Sequence, residues 1–228
     1  MAKKKNPNVC DYPCVSMKKI YPIVLGIVIF AIIIIVFVVS STNQKVLAIQ
    51  IEVEETQSEL NQTLMNLEIQ ENFNSFYYKA KEEYLWATFD RNTADTNYNL
   101  FSFYYEEGYY SLSVDFCVNA RDLIITSNSA YSKSKSYFEQ AKKLASDEYV
   151  ELIETYINLN EVAIDINWAK YEACEYYEVA SINYYNGWQD AGDSELEEGN
   201  KKIEKHDALI VGFNDLISKT EVLEEVLT

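Results

Sequence analysis

The chain has 228 residues, enough for one domain and an anchoring segment, and 48% of them are hydrophobic, as in ordinary folded proteins. Its formal net charge is −17 at pH 7, which argues against a nucleic-acid-binding function because an acidic surface repels phosphates. The same charge argues against a surface that lies flat on anionic lipid.

The first predicted element is a single transmembrane helix over residues 20–41, which would contact membrane lipid. Residues 23–39 contain no charged or hydrogen-bonding side chain, and the full segment spans the roughly 30 Å hydrocarbon core at about 1.5 Å per residue. Five lysines lie in residues 1–19, whereas Lys45 is the only basic residue in 42–61. This bias predicts a cytoplasmic N-terminal tail and an extracytoplasmic remainder. Removal as a signal peptide is the alternative, which the length of the apolar run disfavours.

Long helices are predicted after this segment. No proline follows residue 22, and no glycine lies between Gly26 and Gly108, so nothing in that stretch forces a break. Residues 42–72 are predicted to form a helical stalk, either as a coiled-coil seam or as one more bundle helix. From residue 73 the apolar residues recur in heptads, and the polar run over 90–97 leaves open a kink or break in this helix.

Two further helices are predicted over residues 110–144 and 147–186, because apolar residues recur there at alternating spacings of four and three. Ser146 is the predicted N-cap of the second helix, since acidic residues follow it at the positive end of the helix dipole. The two helices are expected to form an antiparallel hairpin. Lys170 interrupts the second stripe, and its long stem is expected to carry the charge out to solvent.

A last helix is predicted to begin near Ser194, whose spacing to Glu197 is that of a capping box. Residues 187–192 are the predicted loop before it. The fold expected from these elements is all-α, with an antiparallel helical bundle over residues 73–228 that lies outside the cytoplasm.

The stretch YNLFSFYYEEGYYSLSVDFCVNARDL, residues 98–123, resembles one tetratricopeptide repeat. The residues at that repeat's usual packing positions are Leu100, Tyr104, Gly108, Tyr110, Ser113, Cys117 and Ala120. The resemblance covers about a tenth of the chain and implies a helical hairpin that nests around a turn, with protein binding as its function. A fainter echo, NYYNGWQD, occurs at residues 183–190.

Cys117 and Cys174 are expected to lie level with each other across the predicted hairpin. In an oxidising compartment, two cysteines at the same level of an antiparallel helix pair predict a disulfide. The alternative is that Cys117 is a small buried hydrophobic residue and Cys174 lies on a flank by chance.

Tyrosine is unusually frequent, with 19 residues, many of them in adjacent pairs. Because Gly108 and Gly187 should lie at the same end of the hairpin, the aromatic residues around them are expected to gather there. An aromatic patch for a partner or a small ligand is one interpretation, and ordinary core packing is the other. The residues of this predicted patch are Tyr104, Tyr105, Tyr109, Tyr110, Tyr184, Tyr185 and Trp188.

No catalytic, cofactor or metal-binding motif occurs in the sequence, and His206 is the only histidine. We therefore expect no enzyme activity, no cofactor and no metal. The favoured interpretation is a membrane-anchored interaction or assembly module of the cell envelope, acting through a protein partner or self-association. The alternative is an extracytoplasmic sensor or ligand-binding domain that acts through a partner subunit, because a tail of residues 1–19 is too short for an output domain.

Overall fold

The computed structural model describes residues 26, 27, 29 and 43–227. Residues 43–227 fold into helices joined by short turns, which confirms the predicted all-α class. The helices are α1 (Asn43–Glu106), α2 (Tyr110–Lys142), α3 (Asp147–Tyr185) and α4 (Gln189–Leu227). The chain divides into two compact units, Met1–Met65 and Asn66–Thr228, which are described separately below.

In the first unit, the predicted tail (1–19) and nearly all of the predicted transmembrane helix (20–41) lie outside the described residues. Among the residues that are described, no helix combines the length and apolar character that crossing a membrane requires. Residues 43–65 belong to α1, and Thr56 and Thr63 each donate a hydrogen bond to a backbone carbonyl one turn back. The transmembrane helix and the coiled-coil stalk therefore stay predictions.

The second unit contains the rest of α1, which runs without a break through the polar segment at 90–97. The side chains that raised the expectation of a kink turn back onto their own helix instead. Thr93 Oγ1 donates to the carbonyl of Phe89 at 2.9 Å, and Asn97 Nδ2 donates to the carbonyl of Thr93 at 2.9 Å. Polar side chains bonded in this way are compatible with a continuous helix.

The four helices of the second unit form an up-down-up-down bundle. Along the antiparallel contact of α1 with α2, Ser127 and Ser134 donate hydrogen bonds of 2.8 and 2.9 Å to the carbonyls of Ala87 and Ala80. Ala80, Ala87 and Ala94 are spaced by sevens and are fully buried. Small residues on both faces let the two backbones approach closely enough for these side-chain-to-backbone bonds.

The predicted hairpin of α2 and α3 is confirmed, with Lys142 as the last residue of α2 and Asp147 as the first of α3. Ser146 is the N-cap with extended backbone, but its hydroxyl bonds Glu148 at 3.2 Å and caps no backbone N–H. The core divides into two apolar clusters along the bundle. The larger is centred on Tyr131, Phe138, Leu152, Tyr156, Leu159 and Ile166, and the smaller on Phe101, Cys117, Ala120, Ala173, Cys174 and Tyr177.

A polar layer lies between these two clusters. Asn167 Nδ2 donates to Ser127 Oγ at 3.0 Å and to Asn128 Oδ1 at 2.8 Å. The expectation for Lys170 was wrong, because its side chain is buried and its ammonium group bonds the carboxylate of Asp95. Pairing with a carboxylate offsets the cost of removing the charge from water.

The predicted start of the last helix was also wrong, since α4 begins at Gln189 and Ser194 lies inside it. Gly192, which belongs to the predicted loop, is helical and buried against the ring of Tyr184. A Cβ atom there would come within 2.9 Å of that ring. Glycine at this position therefore permits close packing of α4 on α3 and does not mark a turn.

Candidate functional site

The turns after α1 and α3 have the same backbone geometry. Gly108 and Gly187 adopt φ angles of 76° and 77°, which L-residues with side chains rarely tolerate. The N–H of Tyr109 donates to the carbonyl of Tyr104 at 2.9 Å, and the N–H of Trp188 donates to that of Asn183 at 2.8 Å. Both turns are Schellman motifs, which accounts for the sequence echo between the two segments.

These two turns lie at the same end of the bundle, as predicted, and we call this end, residues 103–115 and 181–193, the tip. Three predicted patch residues pack together at its centre. The ring centroids of Tyr105, Tyr110 and Tyr184 lie 5.3–5.8 Å from one another. Burial, and then hydrogen bonding with Tyr184, raises the pKa of Tyr105 above its usual value, so this phenol is neutral at physiological pH. These three rings are partly buried and pack against one another.

The remaining patch residues lie around this centre. Tyr104 stacks on Phe116 with a centroid separation of 5.3 Å and meets Tyr109 edge-on at 6.3 Å. The side chains of Tyr109, Tyr185 and Trp188 are 60%, 71% and 61% exposed. Exposure of this extent gives large aromatic rings little packing energy within the chain, and aromatic residues of this kind are enriched at protein interfaces.

A cavity of about 220 Å³ opens at the tip between α2 and α3. It is lined by Tyr110, Ser111, Val114, Asp115, Ser181, Ile182 and Tyr185. Sequence reasoning found its two tyrosines and missed Asp115, the carboxylate on its wall. The signal was present, because Asp115 is the only charged residue among 110–120.

The tip also lacks positive charge. No lysine, arginine or histidine occurs in residues 92–120 or 171–200. Arg121, the next basic residue along α2, forms salt bridges with Glu178 at 2.5 Å and with Glu175 at 3.7 Å. Among the residues that the structure describes, no basic side chain pairs with Asp115. The electrostatic field at this end of the bundle is therefore negative and favours cations.

Next to the tip, Cys117 and Cys174 are both fully buried in the smaller apolar cluster and are free thiols in the structure. A hydrogen bond with Cys174 and then burial raise the pKa of the Cys117 thiol well above its usual value. The two residues are thus neighbours, as the hairpin predicts, and the Cys117 thiol is in its protonated, unreactive form. The disulfide itself stays a prediction.

A second cluster of titratable groups was not found from the sequence, because its members come from three helices. Glu224 on α4 accepts hydrogen bonds from Lys81 at 2.6 Å, from Tyr156 at 2.7 Å and from Tyr77 at 3.3 Å. Burial by itself would raise the pKa of Glu224, but the bonds from Lys81 and Tyr156 outweigh it, and the pKa is lowered. We call these four residues the Glu224 clamp, and they join α1, α3 and α4.

His206 is half-buried, with Nδ1 2.9 Å from a carboxylate oxygen of Asp207, and burial lowers its pKa. Within residues 43–227, no group of three histidine, cysteine, aspartate or glutamate side chains is arranged to hold a metal ion. The resemblance of residues 98–123 to a tetratricopeptide repeat stays a prediction, although these residues do form a helical hairpin about Gly108. No protein-family model, curated protein or solved structure matches this sequence.

Proposed function

We propose that this chain is a non-enzymatic interaction or assembly module of the cell envelope, tethered by residues 20–41 and recognising a protein partner through the tip. The observation that carries the proposal is the exposure of Tyr109, Tyr185 and Trp188 together at one end of the bundle. Rigid aromatic side chains supply much of the binding energy at protein interfaces and lose little entropy when they are covered.

The surroundings of these rings support the same proposal. Their backbones are fixed by the two Schellman turns, so Tyr109 and Trp188 are presented in defined positions. In the same tip, Tyr105, Tyr110 and Tyr184 pack against one another. A preorganised surface loses less free energy on association than a mobile loop does.

The size of the cavity favours a protein partner over a small-molecule ligand. Its volume is about 220 Å³. Pockets that enclose drug-sized ligands usually have volumes of about 300–1,000 Å³. A cavity below that range suits one side chain of a partner, so the tip itself gives less support to the sensor or ligand-binding alternative.

Crosslinking in intact cells of the source, with an epitope-tagged full-length chain, tests the proposal. Trp188 is replaced by alanine at the tip, and Trp86 is replaced by alanine on the side of α1. The two tryptophans are 61% and 59% exposed, so the substitutions remove equal aromatic surface at two different places. We expect Trp188→Ala to reduce a defined crosslinked species several-fold and Trp86→Ala to leave it unchanged.

The mass of the crosslinked species separates a second copy of this chain from a different protein. If no species forms, or if both variants lose it equally, the tip is not the interface and the proposed function fails. Circular dichroism of both variants serves as the folding control, and an unchanged helical signal is expected because both side chains project from the surface.

A further inference from the structure

We infer that the cavity at the tip receives an arginine side chain of the partner protein, with Asp115 as the carboxylate that pairs with its guanidinium group. This inference rests on the proposed function and adds the chemistry that the partner must present. The cavity offers one carboxylate, two tyrosine rings and the exposed hydroxyl of Ser111, whereas Ser181 is fully buried and its hydroxyl accepts a hydrogen bond from Ser113 at 3.0 Å. A guanidinium group can pair with the carboxylate, stack on an aromatic ring and donate a hydrogen bond to a hydroxyl at the same time.

The charge of the cavity supports a cationic guest. A second groove between the same two helices is lined by Lys135, Glu139, Glu161 and Asp165, and there the cation is supplied from within the chain. Lys135 Nζ lies 2.7 Å from Glu161 and 3.9 Å from Glu139. No basic side chain of the described residues takes the same role beside Asp115. Charge complementarity therefore calls for a cation from another molecule.

The aromatic walls favour arginine over lysine. Tyr110 is held in place by its stacked contact with Tyr184 at 5.3 Å, whereas the ring of Tyr185 is 71% exposed and can cover a guest. Guanidinium is planar, stacks on aromatic faces and is more weakly hydrated than an ammonium group. The protein already uses such contacts, because the Arg91 guanidinium lies 4.6 Å from the ring centroid of Phe213.

The volume limits what enters. At about 220 Å³ the cavity admits the end of one side chain and not a folded segment. The exposed rings of Tyr109 and Trp188 then lie outside the cavity, where they can pack against the residues that flank the arginine. This arrangement matches the usual anatomy of an interface, with one anchor side chain in a pocket and apolar contacts that exclude water around it.

A nuclear magnetic resonance titration of the full-length protein tests the inference. The probe is a short acetylated and amidated peptide of alternating serine and arginine, and the comparison peptides carry glutamine or lysine in place of arginine. We expect saturable shifts of the backbone amides of Ser111 and Ile182 with the arginine peptide. The lysine peptide should bind more weakly, and the glutamine peptide should give no saturable shifts.

Two variants with the same change in net charge distinguish binding in the cavity from nonspecific attraction of a cationic peptide to an acidic protein. Asp115→Asn removes the proposed ligand to guanidinium, and Asp122→Asn removes an exposed carboxylate farther along α2. Loss of one charge-assisted hydrogen bond should weaken the arginine peptide about tenfold in the first variant. The second variant should bind it within about a factor of two, as expected for a distant surface charge.

Equal weakening in both variants, or equal binding of the arginine and glutamine peptides, would overturn the inference. Equal binding of the arginine and lysine peptides would overturn the choice of guanidinium. If Trp188→Ala loses the crosslinked partner in cells while Asp115→Asn keeps it, this inference fails and the proposed function stands. If neither variant affects the crosslinked partner, the proposed function fails as well.

Discussion

Three tyrosine phenol groups of the bundle donate hydrogen bonds to the last helix. Tyr177 donates to Asn200 at 2.8 Å, Tyr156 donates to Glu224 at 2.7 Å, and Tyr184 donates to Asp193. All three acceptors lie on α4, which has few buried apolar residues of its own. A tyrosine ring fills the apolar core while its hydroxyl bonds a polar helix. These tyrosines therefore help to attach this polar helix to the rest of the bundle, together with apolar residues such as Phe213.

Glycines 199 and 212 lie inside α4 in opposite environments, and they provide a matched pair of substitutions. A Cβ on Gly199 would lie 2.5 Å from the ring of Tyr177, whereas a Cβ on Gly212 would meet nothing within 4 Å. We expect Gly199→Ala to destabilise the bundle by about 1–3 kcal/mol through overpacking. Gly212→Ala should stabilise it by about 0.5–1 kcal/mol because alanine favours the helix.

Urea denaturation followed by circular dichroism measures both effects as shifts of the midpoint at constant slope. The ring of Tyr177 cannot easily move aside, since it stacks on Phe101 at 5.1 Å and is bonded to Asn200. Equal shifts of the two midpoints in the same direction would show that α4 does not pack closely on α3 at Gly199.

At the scale of the helices, periodicity predicted most of what is observed. The hairpin of α2 and α3 has the predicted bounds to within about two residues, because its apolar spacing has no competing interpretation. The start of α4 was misplaced because Ser194 and Glu197 imitate a capping box, while Gly192 looked like a turn. A glycine that marks a turn and a glycine that permits close packing are indistinguishable without the neighbouring helix.

The contact of α1 with α2 depends on residue size at every seventh position. Ala87 is fully buried, and its carbonyl accepts the hydrogen bond from Ser127. We expect Ala87→Leu to destabilise the bundle by about 1–3 kcal/mol, since the added atoms would force the helices apart. Ala208→Leu, at an exposed position of α4, should change the free energy of unfolding by no more than about 0.5 kcal/mol.

Equilibrium urea unfolding compares these two alanine variants with the parent chain. If Ala87→Leu changed the free energy of unfolding as little as Ala208→Leu, then α1 and α2 would tolerate a wider separation than the serine-to-carbonyl hydrogen bonds imply. Movement of α2 should also disturb the hydrogen bond that Asn167 on α3 donates to Ser127 on α2.

At the scale of the whole bundle, the Glu224 clamp joins three helices through residues that are far apart in the chain. No pattern in the sequence indicates it, because Lys81, Tyr156 and Glu224 become neighbours only once the bundle has formed. The same applies to the cavity at the tip, where Asp115 acquires its role from residues on α3. The helical class was predictable from spacing along single helices, and the gathering of the tyrosines was predictable because the antiparallel hairpin brings Gly108 and Gly187 to one end of the bundle.

The clamp predicts how stability changes with pH. The pKa of Glu224 is lowered in the folded protein relative to its ordinary value of 4.5, mainly by the bonds that outweigh its burial. A carboxylate with a lowered pKa contributes stability above its unfolded pKa, and that contribution is lost as the pH falls through the folded value. Glu224→Gln should therefore destabilise the bundle at pH 7, and the difference from the parent chain should shrink below about pH 4.5.

Free energies of unfolding measured between pH 7 and pH 3 test this prediction. Glu221→Gln, at an exposed position of the same helix, makes the same change in net charge and should lie parallel to the parent chain throughout. A constant difference between Glu224→Gln and the parent chain across this range would show that Glu224 does not titrate as part of the clamp.

The three tryptophans, Trp86, Trp168 and Trp188, all lie on the surface, whereas the aromatic residues of the core are phenylalanines and tyrosines. Because their side chains are 43–61% exposed, the fluorescence of the tryptophans in the native protein should already lie close to the emission maximum of indole in water. Unfolding would then change the tryptophan spectrum very little, and a flat melting curve would not mean that the protein is unfolded or unusually stable. Near-ultraviolet circular dichroism of the tyrosines is the optical signal that should report packing. In a variant with Trp86 and Trp168 replaced by phenylalanine, by contrast, quenching of Trp188 should report events at the tip while the core stays unchanged.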